Sequence, residues 1–326
     1  MVLLNSSGLE MGKTMADEGE GERSDALRVY RDIRGTVGWT PLIRLNRVTR
    51  GLACEVYAKL EMFNPGGSVK DRIAFPMIEA YERSGDLRPG GTVVEATSGN
   101  TGVGLAIACA LKGYQCVFVL PDKMSPEKIR LLRAFGARVV VTPTAVSPQD
   151  PRSYYSVARR IVEETPNAVL ANQYQNPVNP ASHYATTAPE IWQQTKGRVT
   201  DIVAGMGTGG SITGIARYAR EMALPVRVVG ADPQGSILYG AWKRGGSAER
   251  LEGSAYKVEG IGEDFIPSTL DLSLIDDVVV VDDTESFLWT RRPVREEGVF
   301  CGGSSGSAMA GAFKVARDLG RIMLWS

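Results

Sequence analysis

A lysine behind a Pro-Gly-Gly turn and three glycine-rich turns are the residues of this sequence best suited to chemistry. The segment PGGSVKDR (65–72) sets Lys70 near the start of a helix. A helix N-terminus is partially positive and opposes an ammonium group there. Partial burial acts in the same direction, so both favour a neutral amine able to condense with an aldehyde. Alone, the segment reads better as an exposed lysine paired with Asp71. The turn TSGNTG (97–102) offers hydroxyls at Thr97, Ser98 and Thr101, an amide at Asn100, and free N–H groups at a helix start. That set suits a carboxylate or another small anion. The same turn also reads as an N-capped loop with no ligand.

The second turn, GMGTGGS (205–211), lets a backbone approach closely, and the helix after it favours negative charge, so a phosphate fits. A dinucleotide fingerprint can be laid over Gly205, Gly207 and Gly210, but it is weak. Asp232 follows the next strand and precedes Pro233 rather than a ribose-binding turn. The third turn, CGGSSGS (301–307), brings Ser304 and Ser305 to a helix start, where both also serve as plain caps. Together, a nucleophilic lysine, a phosphate cup, a small-acid loop and a serine-capped helix describe a pyridoxal phosphate site.

The elements that must position these residues alternate. Apolar runs at 55–61, 92–96, 115–120, 138–142, 201–206, 226–232 and 278–283 read as strands. Segments 68–85, 101–113, 125–136, 153–165, 189–195, 210–222, 284–297 and 303–319 read as helices, with Ser125 and Pro126 opening one and Gly85 closing another. β-Branched strands alternating with helices predict an α/β fold of mainly parallel sheets flanked by helices. In open sheets of this kind ligands bind beyond the carboxyl ends of the strands, where the three turns fall. At 326 residues the chain exceeds the roughly 250–300 at which a single core stops growing, so two domains are expected. The Pro/Asn-rich stretch at 172–183 reads as a loop near their division, and 234–256 as an exposed loop. The polar, glycine-rich residues 1–28 read as a disordered tail.

Composition excludes several classes. Lys plus Arg and Asp plus Glu are 37 each, which argues against nucleic acid as a partner. Four cysteines cannot make a disulfide scaffold in so long a chain, and a reducing cytoplasm is the simplest compartment. The one histidine, His183, leaves no His-rich metal site, so no metal is expected; it reads as a structural hydrogen-bonding residue. No run of 18 apolar residues exists, so no membrane span is expected.

Six motifs stand in order: GWTPLIRL (38–45), NPGGSVKDR (64–72), TSGNTG (97–102), NQYQNPVN (172–179), GTGGS (207–211) and CGGSSGS (301–307). On these the sequence resembles the fold type II (tryptophan synthase β-like) family of pyridoxal-phosphate enzymes, within its cystathionine β-synthase and cysteine synthase group. The likeness is greatest to bacterial-type cystathionine β-synthase and runs from about residue 30 to 319. It implies that Lys70 is the Schiff-base lysine, which also removes the α-proton. It implies that Asn100 bonds the cofactor's 3′-oxygen, and that Gly207, Thr208, Gly209, Gly210 and Ser211 hold its phosphate. It implies that Ser304 faces the pyridine nitrogen, and that Thr97, Ser98, Thr101 and Gln173 grip the substrate carboxylate. A neutral hydroxyl at Ser304 leaves the ring a weaker electron sink, which favours expulsion of a β-substituent over transamination.

The implied reaction is β-replacement on L-serine or an O-activated serine, with homocysteine as acceptor; a cysteine synthase is the alternative. The segments GADPQGSILYG (230–240) and YKVEGIGEDFIPSTLD (256–271) favour the first, and Glu263 or Asp264 is a candidate partner for homocysteine's ammonium. The resemblance also implies a homodimer, an N-terminal domain over 55–173, and a larger domain over 29–54 and 174–326. Two features depart from the family. The chain ends soon after the last helix, so part of the larger core is expected to lack cover. Pro293 falls inside a helix, at an expected cost of about 3 kcal/mol. A truncated, non-catalytic relative is therefore the reading of another class.

Overall fold

The computed structural model describes residues 1–6, 29–97, 99–122, 124–144, 146–147 and 150–322. In chain order the elements are β1 (Val2–Asn5), β2 (Leu42–Leu45), β3 (Glu55–Lys59), α1 (Asp71–Ser84), β4 (Thr92–Ala96), α2 (Asn100–Lys112), β5 (Gln115–Pro121), α3 (Pro126–Ala134), β6 (Arg138–Thr142), α4 (Tyr154–Glu164) and β7 (Ala168–Leu170). There follow α5 (Val178–Ala185), α6 (Thr187–Gln194), β8 (Asp201–Gly205), α7 (Gly210–Glu221), β9 (Arg227–Pro233), α8 (Leu238–Lys243), β10 (Asp277–Val281), α9 (Asp283–Glu297) and α10 (Gly303–Ile322).

The chain forms two compact units, one of Tyr30–Gly38 and Met62–Ser182, the other of Met1–Val29, Trp39–Glu61 and His183–Ser326. The sequence division differs at three places. Tyr30–Gly38, expected in the larger domain, cluster with the smaller unit. Strand β3 belongs to the larger unit because it pairs with β2 on one side and β1 on the other. Residues 174–182 stay with the smaller unit: Asn179 donates to the Gln173 carbonyl at 2.8 Å, and Asn176 to that of Ala171 at 3.0 Å.

The smaller unit is a four-stranded sheet, β6-β5-β4-β7, with every ladder parallel. Its core joins Ile73 and Met77 of α1, Leu105 and Cys109 of α2, and Phe118 and Leu120 of β5. On the other face Val157 and Ala158 of α4 pack on Val94 and Val119. Covering both faces is what near-continuous apolar strands require.

The larger unit has a six-stranded sheet, β10-β9-β8-β1-β3-β2. Its β10, β9 and β8 are parallel, and β1, β3 and β2 extend the sheet in antiparallel fashion. Strand β1 corrects the expectation of a tail at the N-terminus. Val2–Asn5 lies inside the sheet, with Leu3 opposite Tyr57 and Ile202. Leu3 and Leu4 are fully buried, and Leu3 joins the core of Ile191, Ile212, Ile215 and Leu238. A four-residue apolar run flanked by polar chain gives no local sign of this, because its pairing is with distant residues. Residues 7–28, expected to be disordered, lie outside those described, as do 323–326. The larger sheet thus gains an interior strand.

Three further expectations change. Segment 234–256 contains α8, whose Leu238 and Ala241 are buried in the core, while Trp242 donates to the Ile275 carbonyl at 3.0 Å. The loop near 172–183 ends in α5; Pro180 sits in its first turn, where a missing N–H costs nothing. Helix α9 runs unbroken through Pro293. It is held by a capping box between Asp282 and Glu285 and stopped by the left-handed Gly298, and the Pro293 carbonyl accepts from Gly298 and Val299.

Candidate functional site

In the smaller unit, Lys70 occupies the N-cap position of α1 and is half-buried. A tight lead-in turn fixes it: Asp71, Arg72 and Ile73 donate to the carbonyls of Ser68, Val69 and Lys70, and Lys70 N–H donates to Ser68 Oγ at 3.1 Å. Asp71 is buried, and its carboxylate accepts from Gly66 N–H at 2.6 Å. A side chain at Gly66 would meet that carboxylate, so the glycine of the Pro-Gly-Gly turn is required by contact. Gly104 of α2 brings the two helix starts together, because a Cβ there would stand 3.1 Å from the Lys70 carbonyl oxygen.

The small-acid loop joins β4 to α2. Thr97 is buried and its Oγ1 accepts from Gly99 N–H at 3.1 Å. Gly99 takes φ +137°, which L side chains rarely adopt. Asn100 opens α2 and is exposed. Thr101 is buried, and its hydroxyl donates to Gln173 Oε1 at 2.6 Å. The structure therefore joins Thr101 and Gln173, which the sequence places 72 positions apart. Ser98 lies outside the described residues.

Sequence reasoning missed Glu95, which sits beneath this loop. It is 1% exposed, and its two oxygens accept from the backbone N–H groups of Asn172 at 2.6 Å and Gln173 at 3.2 Å. Burial pushes its carboxyl up to about 7, against the two N–H bonds that favour the charged form. The only sequence signal was an acid interrupting an apolar strand, which usually means a partner waits nearby.

In the larger unit, residues 207–211 run from the end of β8 into α7. Gly209 is the N-cap of α7 and is left-handed at φ +82°. A Cβ on it would collide with Leu270, and one on Gly207 would stand 3.0 Å from the Gly260 carbonyl. Thr269 Oγ1 donates to the Thr208 carbonyl at 2.5 Å, tying the turn to the following segment. Ser211 Oγ lies 3.1 Å from His183 Nε2, and His183 Nδ1 lies 2.9 Å from Thr187 Oγ1. The histidine is a hydrogen-bonding residue, as the sequence suggested, but its partner belongs to the phosphate turn. A serine hydroxyl has one proton. For Ser211 to donate it to an anion, Nε2 must donate to Ser211, and Nδ1 must accept from Thr187.

Ser304 lies in the first turn of α10 and is half-buried. That helix is seated by Ser307, whose Oγ lies 2.7 Å from Ser286 Oγ with both residues fully buried, and by Gly306, where a side chain would collide with Ser286 and Thr290. Glu263 is half-buried, and its backbone is stapled to the 233–237 turn: its carbonyl accepts from Ile237 at 2.9 Å, and its N–H donates to Ser236 Oγ at 3.1 Å. Burial first, and then the charges of Glu263, Asp232 and Asp264, push the Tyr256 phenol well above its ordinary range. Asp232 is pushed up to about 6 by burial. The charges of three acidic residues thus act on one tyrosine. Among the described residues, no group of three or more His, Cys, Asp or Glu is placed to hold a metal.

The helix-start lysine and the hydroxyl-rich loop stand in the smaller unit, and the glycine-rich 207–211 turn in the larger. The model of the pyridoxal-phosphate dependent enzyme family matches residues 33–322, and the chain belongs to that family. It is 47% identical over 300 residues to the cystathionine beta-synthase of Apis mellifera, covering 91% of this chain and 58% of that protein. The Mus musculus cystathionine beta-synthase is 47% identical over 314 residues, 95% of this chain and 55% of its own length. That of Saccharomyces cerevisiae is 45% identical over 290 residues, 86% and 56%. The chain therefore spans a little over half the length of these relatives. Among solved structures, O-ureido-L-serine synthase superposes with a TM-score of 0.79 at 36% identity, over 89% of this chain and 88% of that one.

Proposed function

We propose that this chain catalyses β-replacement on L-serine or an O-activated serine, with homocysteine as acceptor and cystathionine as product. The observation that carries this reading is the 45–47% identity to proteins named cystathionine beta-synthase over 86–95% of the chain. The cysteine synthase alternative, with sulfide as acceptor, makes no use of the carboxylates around Tyr256.

The residues fit pyridoxal phosphate. The 207–211 turn leaves no room for side chains at Gly207 and Gly209, keeps backbone N–H groups at the start of α7, and holds Ser211 through His183. That is the chemistry of a phosphate site. When bound, the cofactor supplies an electron-withdrawing ring that lets a β-substituent leave an amino acid. Lys70 would carry the cofactor, take the substrate's α-proton on Nζ and return it to Cα. Asn100 would bond the 3′-oxygen, and the Ser304 hydroxyl the ring nitrogen. Thr97, Ser98, Thr101 and Gln173 would orient the substrate by its carboxylate, and Glu263 or Asp264 would hold the acceptor's ammonium. We also assign the chain to a homodimer in a reducing, cytoplasmic compartment. The four unbridged thiols of Cys54, Cys109, Cys116 and Cys301 support the compartment, and the family resemblance supports the dimer. No described helix is long and apolar enough to cross a membrane.

Product analysis tests the reading. Serine with homocysteine is expected to yield cystathionine; cysteine formed only from O-acetylserine and sulfide would replace this reading with the alternative. Glu263→Ala is expected to weaken use of homocysteine about tenfold, the worth of one charge-assisted bond, and to spare sulfide. Equal losses with both acceptors would remove Glu263 from the acceptor site. His183→Ala is expected to raise the apparent Kd for pyridoxal phosphate by about tenfold, since Ser211 loses its donor. An unchanged Kd would show that the His183–Ser211 bond does not serve the phosphate.

A further inference from the structure

We propose that Glu95 is a positioning residue for the substrate carboxylate, acting by clamping the backbone of Asn172 and Gln173 so that the Gln173 amide meets Thr101. This rests on the reading above, in which Thr101 and Gln173 grip that carboxylate.

The geometry is specific. Glu95 is the next-to-last residue of β4, two before Thr97, so it stands at the root of the small-acid loop. Its oxygens take the N–H groups of Asn172 and Gln173, which lie 77 and 78 positions away. One carboxylate therefore ties the two pieces of the anion site to each other. Asn172 takes φ +51°, a left-handed conformation that asparagine tolerates better than most side chains. Its N–H is committed to Glu95 at 2.6 Å. Gln173 is fixed on the other side, where its carbonyl accepts from Asn179 at 2.8 Å. Its backbone donor and acceptor are both committed, and its side-chain Oε1 accepts from Thr101 at 2.6 Å. That orientation makes Nε2 the end of the amide able to donate to a carboxylate.

Stability alone does not account for an acid here. A carboxylate 1% exposed on a strand whose neighbours Val94 and Ala96 are buried pays desolvation that two backbone bonds only partly offset. Its raised proton affinity reports the same cost. An apolar residue would pack there without it, but would leave the N–H groups of Asn172 and Gln173 unmet.

The test is Glu95→Gln, which keeps the shape and leaves one acceptor for two donors. Amide hydrogen exchange at 172 and 173, read on the chain without cofactor, is expected to quicken about tenfold, while β4 and β5 keep their protection. With pyridoxal phosphate bound, the serine concentration giving half of the cofactor's spectral change is expected to rise about tenfold, with the Kd for the cofactor unchanged. The double variant Glu95→Gln/Gln173→Ala is expected to need no more serine than Gln173→Ala alone, because Glu95 acts through Gln173. Should Glu95→Gln not fold, Glu95→Asp, which draws the acid back by one methylene, is expected to move exchange and serine demand in the same direction. Unchanged exchange, multiplied losses in the double variant, or a joint loss of melting temperature and cofactor affinity would each overturn the proposal. If the wild-type chain binds cofactor but does not respond to serine, the reading of function fails, and the exchange measurement still decides whether Glu95 clamps the turn.

Discussion

Replacing Lys70 by alanine is expected to leave a folded chain that takes up pyridoxal phosphate and turns over substrate about 10²–10⁴-fold more slowly, the usual weight of a lost proton-transfer group. The fold should survive because the turn around Lys70 is closed by backbone bonds from residues 71–73 and by the Ser68 hydroxyl, all of which the substitution keeps. Melting should therefore move little, since a half-buried side chain outside any core cluster is worth about 0.5 kcal/mol. Cofactor retention should fall on the 207–211 turn and Ser211, which Lys70→Ala leaves intact. Lys70→Arg separates charge from chemistry: it keeps a cation at the helix start, but a guanidinium neither condenses with an aldehyde nor gives up its proton. Arginine is thus expected to fail as completely as alanine. Turnover of either variant within tenfold of wild type would remove Lys70 from the reaction.

The second large effect concerns stability. Leu4→Ala is expected to lower the free energy of unfolding by about 2–5 kcal/mol, the range for emptying a buried leucine site. That is a large share of the about 5–15 kcal/mol typical of folded proteins. Leu4→Asp, which buries a charge between two strands, is expected to prevent folding of the larger unit. The reasoning is the position of β1, which pairs with β3 on one edge and β8 on the other, so losing it opens both edges of the sheet at its centre. Strand β8 leads directly into the phosphate turn, so cofactor affinity should fall with stability. Urea unfolding followed by circular dichroism checks this. Midpoints unchanged by both substitutions would show that the first residues are not part of the sheet.

The chemistry was legible in the sequence because it is local. Each glycine turn lies where a strand meets a helix, and the residue types that permit close approach or capping are adjacent in the chain. Lys70, Asn100, Gly209 and Ser304 all fall at helix starts, as their motifs suggested. What the sequence hid depends on distant partners. Strand β1 is four apolar residues, too short for a period, and its strand character comes from pairing with residues more than 50 positions away. Helix α8 lies among glycines, and packing of Leu238 and Ala241 overrides the weak local preference. His183 and Glu95 carry no motif of their own. Their meaning appears only when the fold brings His183 to Ser211 and Glu95 to Gln173. Pro293 is the opposite case, a strong local warning outweighed by a capping box and by packing against α10.

The most direct test of the central claim is an absorbance titration of the purified chain. Pyridoxal phosphate is added first, then L-serine, then homocysteine. The account predicts a visible cofactor band that depends on Lys70, changes with serine, and returns when homocysteine is supplied. A folded chain that gives no such band with Lys70 intact, or a band that both L-serine and O-acetylserine leave unchanged, would contradict it.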